Sequence, residues 1–507
     1  MIEDNRIYVG KNEEGEKICL MPKLANRHGL VAGATGTGKT VTLRVLAESF
    51  SELGIPVFMA DVKGDLAGMA DAGMETDAIR ERIEAFGLDK EGFTYSGYPV
   101  VLWDIFGEKG IPLRTTISEM GPLLLARLMD LNDLQSDLLT IAFKIADDHN
   151  LLLYDTKDLK ALLNYISENH SGFEADYGKM SPTSIAAIVR AVVSLEIAGG
   201  ETFFGETALN VMDWFSVDRS GRGTIHILDS ASLISNGKMY STFLLWLLSE
   251  LFERLPEVGD LDKPKMVFFF DEAHLLFKDA PSVLVEKVEQ VVKLIRSKGV
   301  GVYFCTQNPR DIPDGVLAQL SNRIQHALHA YTPADQKSVR AAADSFRTNP
   351  SFNTYDTIMA LGIGEAVISF LEESGAPGIA QKVKILPPRS RLGSIDEAER
   401  SARIRESLLF SKYEKSFDPD SAYEFLMRMG LEQQAKEEEK KEAAKKTQAG
   451  NKAARRAVKS VGNTVAGTIG REVGKTAMSG MGSFGKRLGG NAGASIARGL
   501  FSTLFKG

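Results

Sequence analysis

The chain has 507 residues, 44% of them hydrophobic and 25% charged, with a formal net charge of −7. That length allows about three domains, or one large core with insertions, and the composition argues against wholesale disorder and against a membrane protein. Cysteines occur only at positions 19 and 305, no disulfide framework. With an acidic start, MIEDNRIYVG, and no uninterrupted apolar run near the ~20 residues of a membrane span, a cytoplasmic location is expected.

In chain order, IYVG and KICLMP flank the turn-prone KNEEGE and predict a short β-hairpin within residues 1–25. Apolar stretches then alternate with helical patterns: GLVAGA, the amphipathic TVTLRVLAESFSELG, IPVFMADV and PVVLWDI. Short buried strands separated by helices predict an α/β fold whose mainly parallel sheet carries helices on both faces. From about Ile111 to Gly221 the pattern becomes helical, with Met120, Leu123, Leu124, Leu128 and Leu131 spaced for one helix face. A later helix is punctuated by Ser181 as N-cap, Pro182 in its first turn and Gly199-Gly200 past its end. This stretch reads as a helical insertion, 111–221, in a core spanning 26–393. Strand patterns return in GTIHILD, KMVFFFDEA and GVGVYFCTQ, with helices expected near Tyr240–Leu255 and Pro281–Lys298. EAVISFL and QKVKILPP, joined by EESGAPG, predict a terminal hairpin. A charged helical segment follows over 394–445.

The last 62 residues, 446–507, form a Gly/Ala-rich basic tail that is expected to be flexible. From Ala443 onward 12 Lys/Arg face the single acid Glu472, so the preceding chain carries about −18. Such a tail is either solvated disorder or a contact for nucleic acid or another anionic surface.

GATGTGKT, Gly33 to Thr40, satisfies the Walker A pattern between a strand pattern and a helix pattern, the context that motif needs. Gly33, Ala34, Thr35, Gly36, Thr37 and Gly38 would form the loop, with Gly36 and Gly38 letting backbone N–H groups approach phosphate at a helix start. Lys39 is placed to reach the β- and γ-phosphates of ATP, and the Thr40 hydroxyl to bind Mg²⁺. Four apolar residues, Val267 to Phe270, run into Asp271 and Glu272, putting two carboxylates at the ligand-binding edge of the sheet. Asp271 would hold the Mg²⁺ shell and Glu272 would polarise the attacking water. His274 is open between a strand-end polar residue and a signalling role. Gln307, after YFCT, is either a γ-phosphate sensor or a satisfied loop amide. Arg296 either reaches a neighbouring subunit's ATP or simply complements a helix C-terminus, as Lys298 would.

HGLVAGATGTGKT, FMADVKGDLAGMA, FFGE at Phe203–Glu206, FFFDEAH and LIRSKGVGVYFCTQNPRDIP occur in that order. On these residues the chain resembles the HerA/FtsK group of P-loop motor ATPases, most closely bacterial YjgR-type HerA-like proteins. The resemblance covers about Asn26 to Pro388. It implies a RecA-like core with an extra strand between the two nucleotide motifs, for which GTIHILD is the candidate. It further implies Lys39 and Thr40 on nucleotide and metal, Asp271 on metal, Glu272 as catalytic carboxylate, Gln307 as sensor and Arg296 as a finger donated in trans. Hexameric rings that pump DNA are typical of the group, so a homo-hexamer acting on DNA is expected. Asp61, Lys63 and Asp65, after the second strand, are singled out by the resemblance without a derivable role, solvated turn residues being the equal alternative. Archaeal HerA-type motors carry an N-terminal β-barrel where about 30 residues precede the loop here, which makes a nuclease partner doubtful.

Two other functions remain at this stage. One is an ATP-driven motor or remodelling factor acting on protein or at a membrane surface, since Ile496, Leu500, Phe501 and Leu504 could line one side of a short amphipathic helix. The other is a nucleotide-gated scaffold, against which Glu272 argues.

Overall fold

In the computed structural model, which describes residues 1–233, 237–278 and 282–431, the apolar runs become strands of one 13-stranded sheet. The strands are β1 (Ile2–Glu3), β2 (Arg6–Asn12), β3 (Lys17–Leu20), β4 (Gly29–Ala32), β5 (Val57–Asp61), β6 (Val100–Asp104) and β7 (Ile111–Pro112). They continue with β8 (Ile225–Asp229), β9 (Met266–Phe270), β10 (Val300–Thr306), β11 (Asn322–Gln325), β12 (Glu365–Ser369) and β13 (Gln381–Ile385). Their order is β1-β2-β13-β12-β11-β4-β10-β9-β5-β8-β6-β7, with β3 also on β2. From β11 through to β7 all neighbours are parallel, whereas β12, β13, β2, β3 and β1 are antiparallel additions.

The central strands read as continuous apolar runs because both faces are covered. Met266, Phe268 and Phe270 of β9 point into one core, which includes the helix Gly237–Arg254 and the insertion. Val267 and Phe269 point into the other, against α1 (Lys39–Glu52). The predicted terminal hairpin is β12–β13, and β13 in turn receives β2 through Lys384↔Lys11 and Ile385↔Gly10. The N-terminal hairpin therefore extends the same sheet. After α1, α2 (Asp77–Phe86) lies beside the loop that leads into β12, through Arg82.

The expectation for GTIHILD is overturned. That strand, β8, lies between β5 and β6, whereas the strand standing between the phosphate-loop strand β4 and the acid-bearing strand β9 is β10. Position between two motifs in sequence does not fix position in space, because parallel neighbours are joined by long crossovers.

The insertion contains α3 (Ile117–Leu128), α4 (Asp133–Asp148), α5 (Thr156–Glu168), α6 (His170–Tyr177) and α7 (Pro182–Leu195). Capping boxes at Thr116/Glu119, Asn132/Gln135 and Asp155/Asp158 set the starts of α3, α4 and α5. Leu131 falls outside α3, which kinks at Gly121 before Pro122. Ser181 caps α7 as expected, but Gly199-Gly200 does not end the helical run. The chain passes through a π-turn, Glu196–Gly200, and continues to Phe203. This run, Pro182–Phe203, is long and apolar enough to cross a membrane by composition, with mean hydropathy 1.4, and its inner face of Ile185, Ile188, Val192 and Leu195 joins the main core.

Past β13 the chain crosses the C-terminal edge of the sheet. Arg391 pairs with Asp71 at 3.2 Å, Arg403 also pairs with Asp71, and Arg400 lies 3.6 Å from Asp229 at the end of β8. Helix Glu397–Glu406 and the buried Tyr413 follow, and the segment ends against α5 through Ser421 and Asp158. The basic tail expected at 446–507, and the apolar helix expected near its end, lie outside the described residues.

Candidate functional site

β4, β10 and β9 bring the two sequence motifs together. Val31 pairs with Cys305 and Ala32 with Thr306, while Phe270 pairs with Phe304. Gly33 thus leaves the sheet level with Gln307, and Asp271 leaves it beside Cys305. Gly33 donates its N–H to the Thr306 carbonyl at 3.3 Å, and Ala34 donates to Ala327 at 2.8 Å, pinning the loop's first residues to the two neighbouring strands.

Gly33, Gly36 and Gly38 all adopt positive φ. At Gly33 the absence of a side chain is obligatory, since a Cβ there would lie 2.5 Å from the Cβ of His326. Among the described residues, no hydrogen bond to a protein acceptor is made by the N–H groups of Thr35, Gly36, Gly38 and Lys39, and they surround the start of α1. The Lys39 ammonium folds over the loop to the Gly33 and Ala34 carbonyls, at 2.6 and 3.0 Å. Thr37 ties the loop internally through its hydroxyl to Ala34 O at 2.7 Å. Unpaired N–H groups, a helix N-terminus and an ammonium form a donor set that fits a polyphosphate.

The acidic side is equally built. Asp271 accepts the N–H of Glu272 at 2.9 Å, while Tyr240 Oη donates to the Asp271 carbonyl at 2.7 Å. Burial raises the Asp271 carboxyl above its ordinary range and the Glu272 charge adds to this; Cys305, the Glu272 N–H and Lys63 act oppositely. Glu272 itself is held at φ 47°, a left-handed conformation that costs a non-glycine residue about 1 kcal/mol and clusters at functional sites. Its carboxylate accepts from Gln307 Nε2 at 3.1 Å and 3.4 Å. His274 Nδ1 lies 3.3 Å away without a directed hydrogen bond. The Thr40 hydroxyl and the Asp271 carboxylate, both hard oxygen donors, fit Mg²⁺ by type.

Arg296 is not brought to this site. It lies in the turn Arg296–Lys298 that precedes β10, at the opposite edge of the sheet from Gln307, about 20 Å along a seven-residue strand. There it faces Asp260 at 3.4 Å.

Asp61 is no solvated turn residue. Buried at the end of β5, its carboxylate accepts the N–H groups of Lys63, Gly64, Asp65 and Leu66 at 2.7 to 3.3 Å. Burial, with Asp65 and Asp229 contributing, pushes its pKa up to about 6. The Asp65 carbonyl anchors Arg44 of α1, so this loop braces the helix that carries the phosphate loop.

Sequence reasoning missed His326. Fully buried just past β11, its Nδ1 bonds the Glu365 carbonyl at 2.8 Å and its Nε2 the Thr42 hydroxyl of α1 at 2.9 Å. Burial lowers its pKa to about 4, so it is neutral, donating through Nδ1 and accepting at Nε2. Nothing in its sequence neighbourhood announces that contact. Cys305 was visible, two residues before Gln307, but its partner is set by strand register.

A parallel sheet with a phosphate loop after β4 and an acid pair two strands away defines a RecA-like P-loop protein. The family model described as Helicase HerA-like C-terminal matches residues 6–507, and the chain belongs to that family, of the HerA/FtsK type. A relative named DNA double-strand break repair helicase HerA, from Sulfolobus acidocaldarius, is 23% identical over 367 residues, 71% of this chain and 65% of that protein. Its namesake from Sulfurisphaera tokodaii is 29% identical over 156 residues, 30% of each chain. The chain thus spans less than two thirds of the length of these relatives. Among solved structures, the conjugative coupling protein TrwB (14% identity, TM-score 0.51, 77% of this chain and 92% of that one) shares the fold. So does VirB4 of Thermoanaerobacter pseudethanolicus (15%, TM-score 0.50, 76% and 97%).

Proposed function

We propose that this protein is a Mg²⁺-dependent ATP hydrolase, cytoplasmic, working as a subunit of a homo-hexameric ring that moves along or unwinds DNA. The observation that carries the reading is the Glu272–Gln307 pair held beside the phosphate loop, because a protein that only bound nucleotide would need no positioned carboxylate there. Mg²⁺ supplies charge neutralisation and orientation of the phosphates, held by Thr40 and Asp271. The N–H groups of the loop and Lys39 bind and orient the triphosphate. Glu272, fixed by Gln307, orients water and takes up its proton; Gln307 is placed to register the terminal phosphate. Arg296 is too far away to serve its own subunit's loop, which supports its donation to a neighbour and makes hydrolysis depend on assembly. The names of the archaeal relatives support DNA as the cargo.

The test is steady-state ATP turnover of the full chain, with and without duplex DNA at low salt. Glu272→Gln is expected to lower turnover roughly 10²- to 10⁴-fold while retaining ATP binding. Turnover equal to the parent removes Glu272 from the mechanism. A parent rate indifferent to DNA, with no DNA binding at low salt, removes the cargo assignment.

A further inference from the structure

The loop Leu361–Glu365 leads into β12 and touches the phosphate loop directly: Gly364 donates its N–H to the Thr37 carbonyl at 2.9 Å. It is fixed on every side. Arg82 of α2 donates to the Ile363 carbonyl at 2.9 Å, to Gly364 O at 3.3 Å and to Ile385 O at 2.6 Å. The Glu365 carboxylate accepts the Gly362 N–H at 2.9 Å, and the Glu365 N–H returns to Gly362 O at 3.1 Å. Gly364 takes φ 73°, and a Cβ there would meet Arg82 Nη2 at 2.3 Å. From this immobilised loop Ile363 projects with 78% of its surface exposed. A single exposed aliphatic residue is ordinary, but one whose neighbour Gly364 is bonded to the Thr37 carbonyl is held at the phosphate loop and preorganised for a ligand of that loop.

Strand order says which part of the ligand it would meet. Across the sheet the sequence is β12, β11, β4, β10, β9. With the terminal phosphate directed from β4 towards Glu272 beyond β9, the other end of the nucleotide leaves on the β11–β12 side, where Ile363 stands.

Resting on the nucleotide-binding reading above, we propose that Ile363 is the wall against which the base of the bound nucleotide packs. The contact is apolar and reads no base edge. The carbonyl of Gly362 accepts from the Glu365 N–H and those of Ile363 and Gly364 from Arg82, so the group this loop presents to a base is the Ile363 side chain, whose packing is alike for either purine ring face. Adenine and guanine therefore gain equally from it, in contrast to a site that discriminates by hydrogen bonding.

The experiment titrates the full-length protein with ATP, GTP and inorganic tripolyphosphate, each with Mg²⁺, using the parent, Ile363→Ser, Ile363→Leu and Lys39→Ala. Ile363→Ser is expected to weaken ATP and GTP alike by about tenfold, leaving tripolyphosphate unchanged, with Ile363→Leu close to the parent. Unchanged ATP affinity in Ile363→Ser, or an equal loss for tripolyphosphate, overturns the proposal. Loss of GTP binding without loss of ATP binding also overturns it. Lys39→Ala must weaken all three ligands; if it weakens none, the phosphate-loop reading fails, independently of Ile363.

Discussion

Replacing Thr42 with valine removes one hydroxyl from α1 and leaves shape and helix propensity nearly unchanged. That hydroxyl is the donor 2.9 Å from Nε2 of His326, an imidazole with no exposed surface. Without it a buried acceptor is unpaired, at a cost of about 1–3 kcal/mol. Protonation does not rescue it near neutral pH, since burial lowers the His326 pKa to about 4. The ring also borders the end of the phosphate loop, since a Cβ built on Gly38 would stand 3.8 Å from His326 Cε1, so a shift of the imidazole disturbs the loop where it enters α1. Urea denaturation and ATP titration of the full chain measure both effects. The expected outcome for Thr42→Val is a loss of about 1–3 kcal/mol of stability and roughly tenfold weaker ATP binding, equivalent to about 1.4 kcal/mol. Thr42→Ser, which keeps the donor, retains most of the ATP affinity. A valine variant matching the parent within about 0.5 kcal/mol, with unaltered ATP affinity, refutes the role given to His326.

Glu119 of α3, in contact with Arg254 at 3.1 Å, has its pKa pushed from the ordinary 4.5 up to about 7, by burial first and Glu250 second. Folding therefore favours its neutral form: the stability it contributes is present below 4.5 and lost as pH rises through about 7. Since its side chain is 25% exposed, the loss between about pH 5.5 and pH 8 is roughly 1–2 kcal/mol. Glu119→Gln should abolish that part of the pH dependence of the denaturation midpoint, and an identical pH profile in the two proteins contradicts the assignment. Cys305→Ala removes the buried thiol whose influence offsets part of the rise in the Asp271 carboxyl's pKa. Loss of a neighbour that favours the charged form of a metal ligand implies that about 3- to 10-fold more Mg²⁺ is needed for half-maximal turnover, with ATP binding in the absence of Mg²⁺ unaltered; an unshifted Mg²⁺ curve counts against Asp271 as a ligand.

What the sequence determined by itself is what the chain encodes locally. Gly33 to Thr40 specify a helix start with free N–H groups within eight residues, and Val267 to Phe270 specify a buried strand that must deliver Asp271 and Glu272 at its end. Ser181 and Pro182 likewise begin α7 through neighbours one to three residues away. The tertiary structure alone decided which strands lie side by side. It placed β10 rather than β8 between β4 and β9, joined β2 to β13 across more than 360 residues of chain, and carried α7 through Gly199. It also set His326 against Gly33 and Thr42, Cys305 near Asp271, and Gly364 against Thr37. Each of these contacts joins segments far apart in sequence. Their energies come from burial and register, which become definite only when every strand has chosen its neighbour.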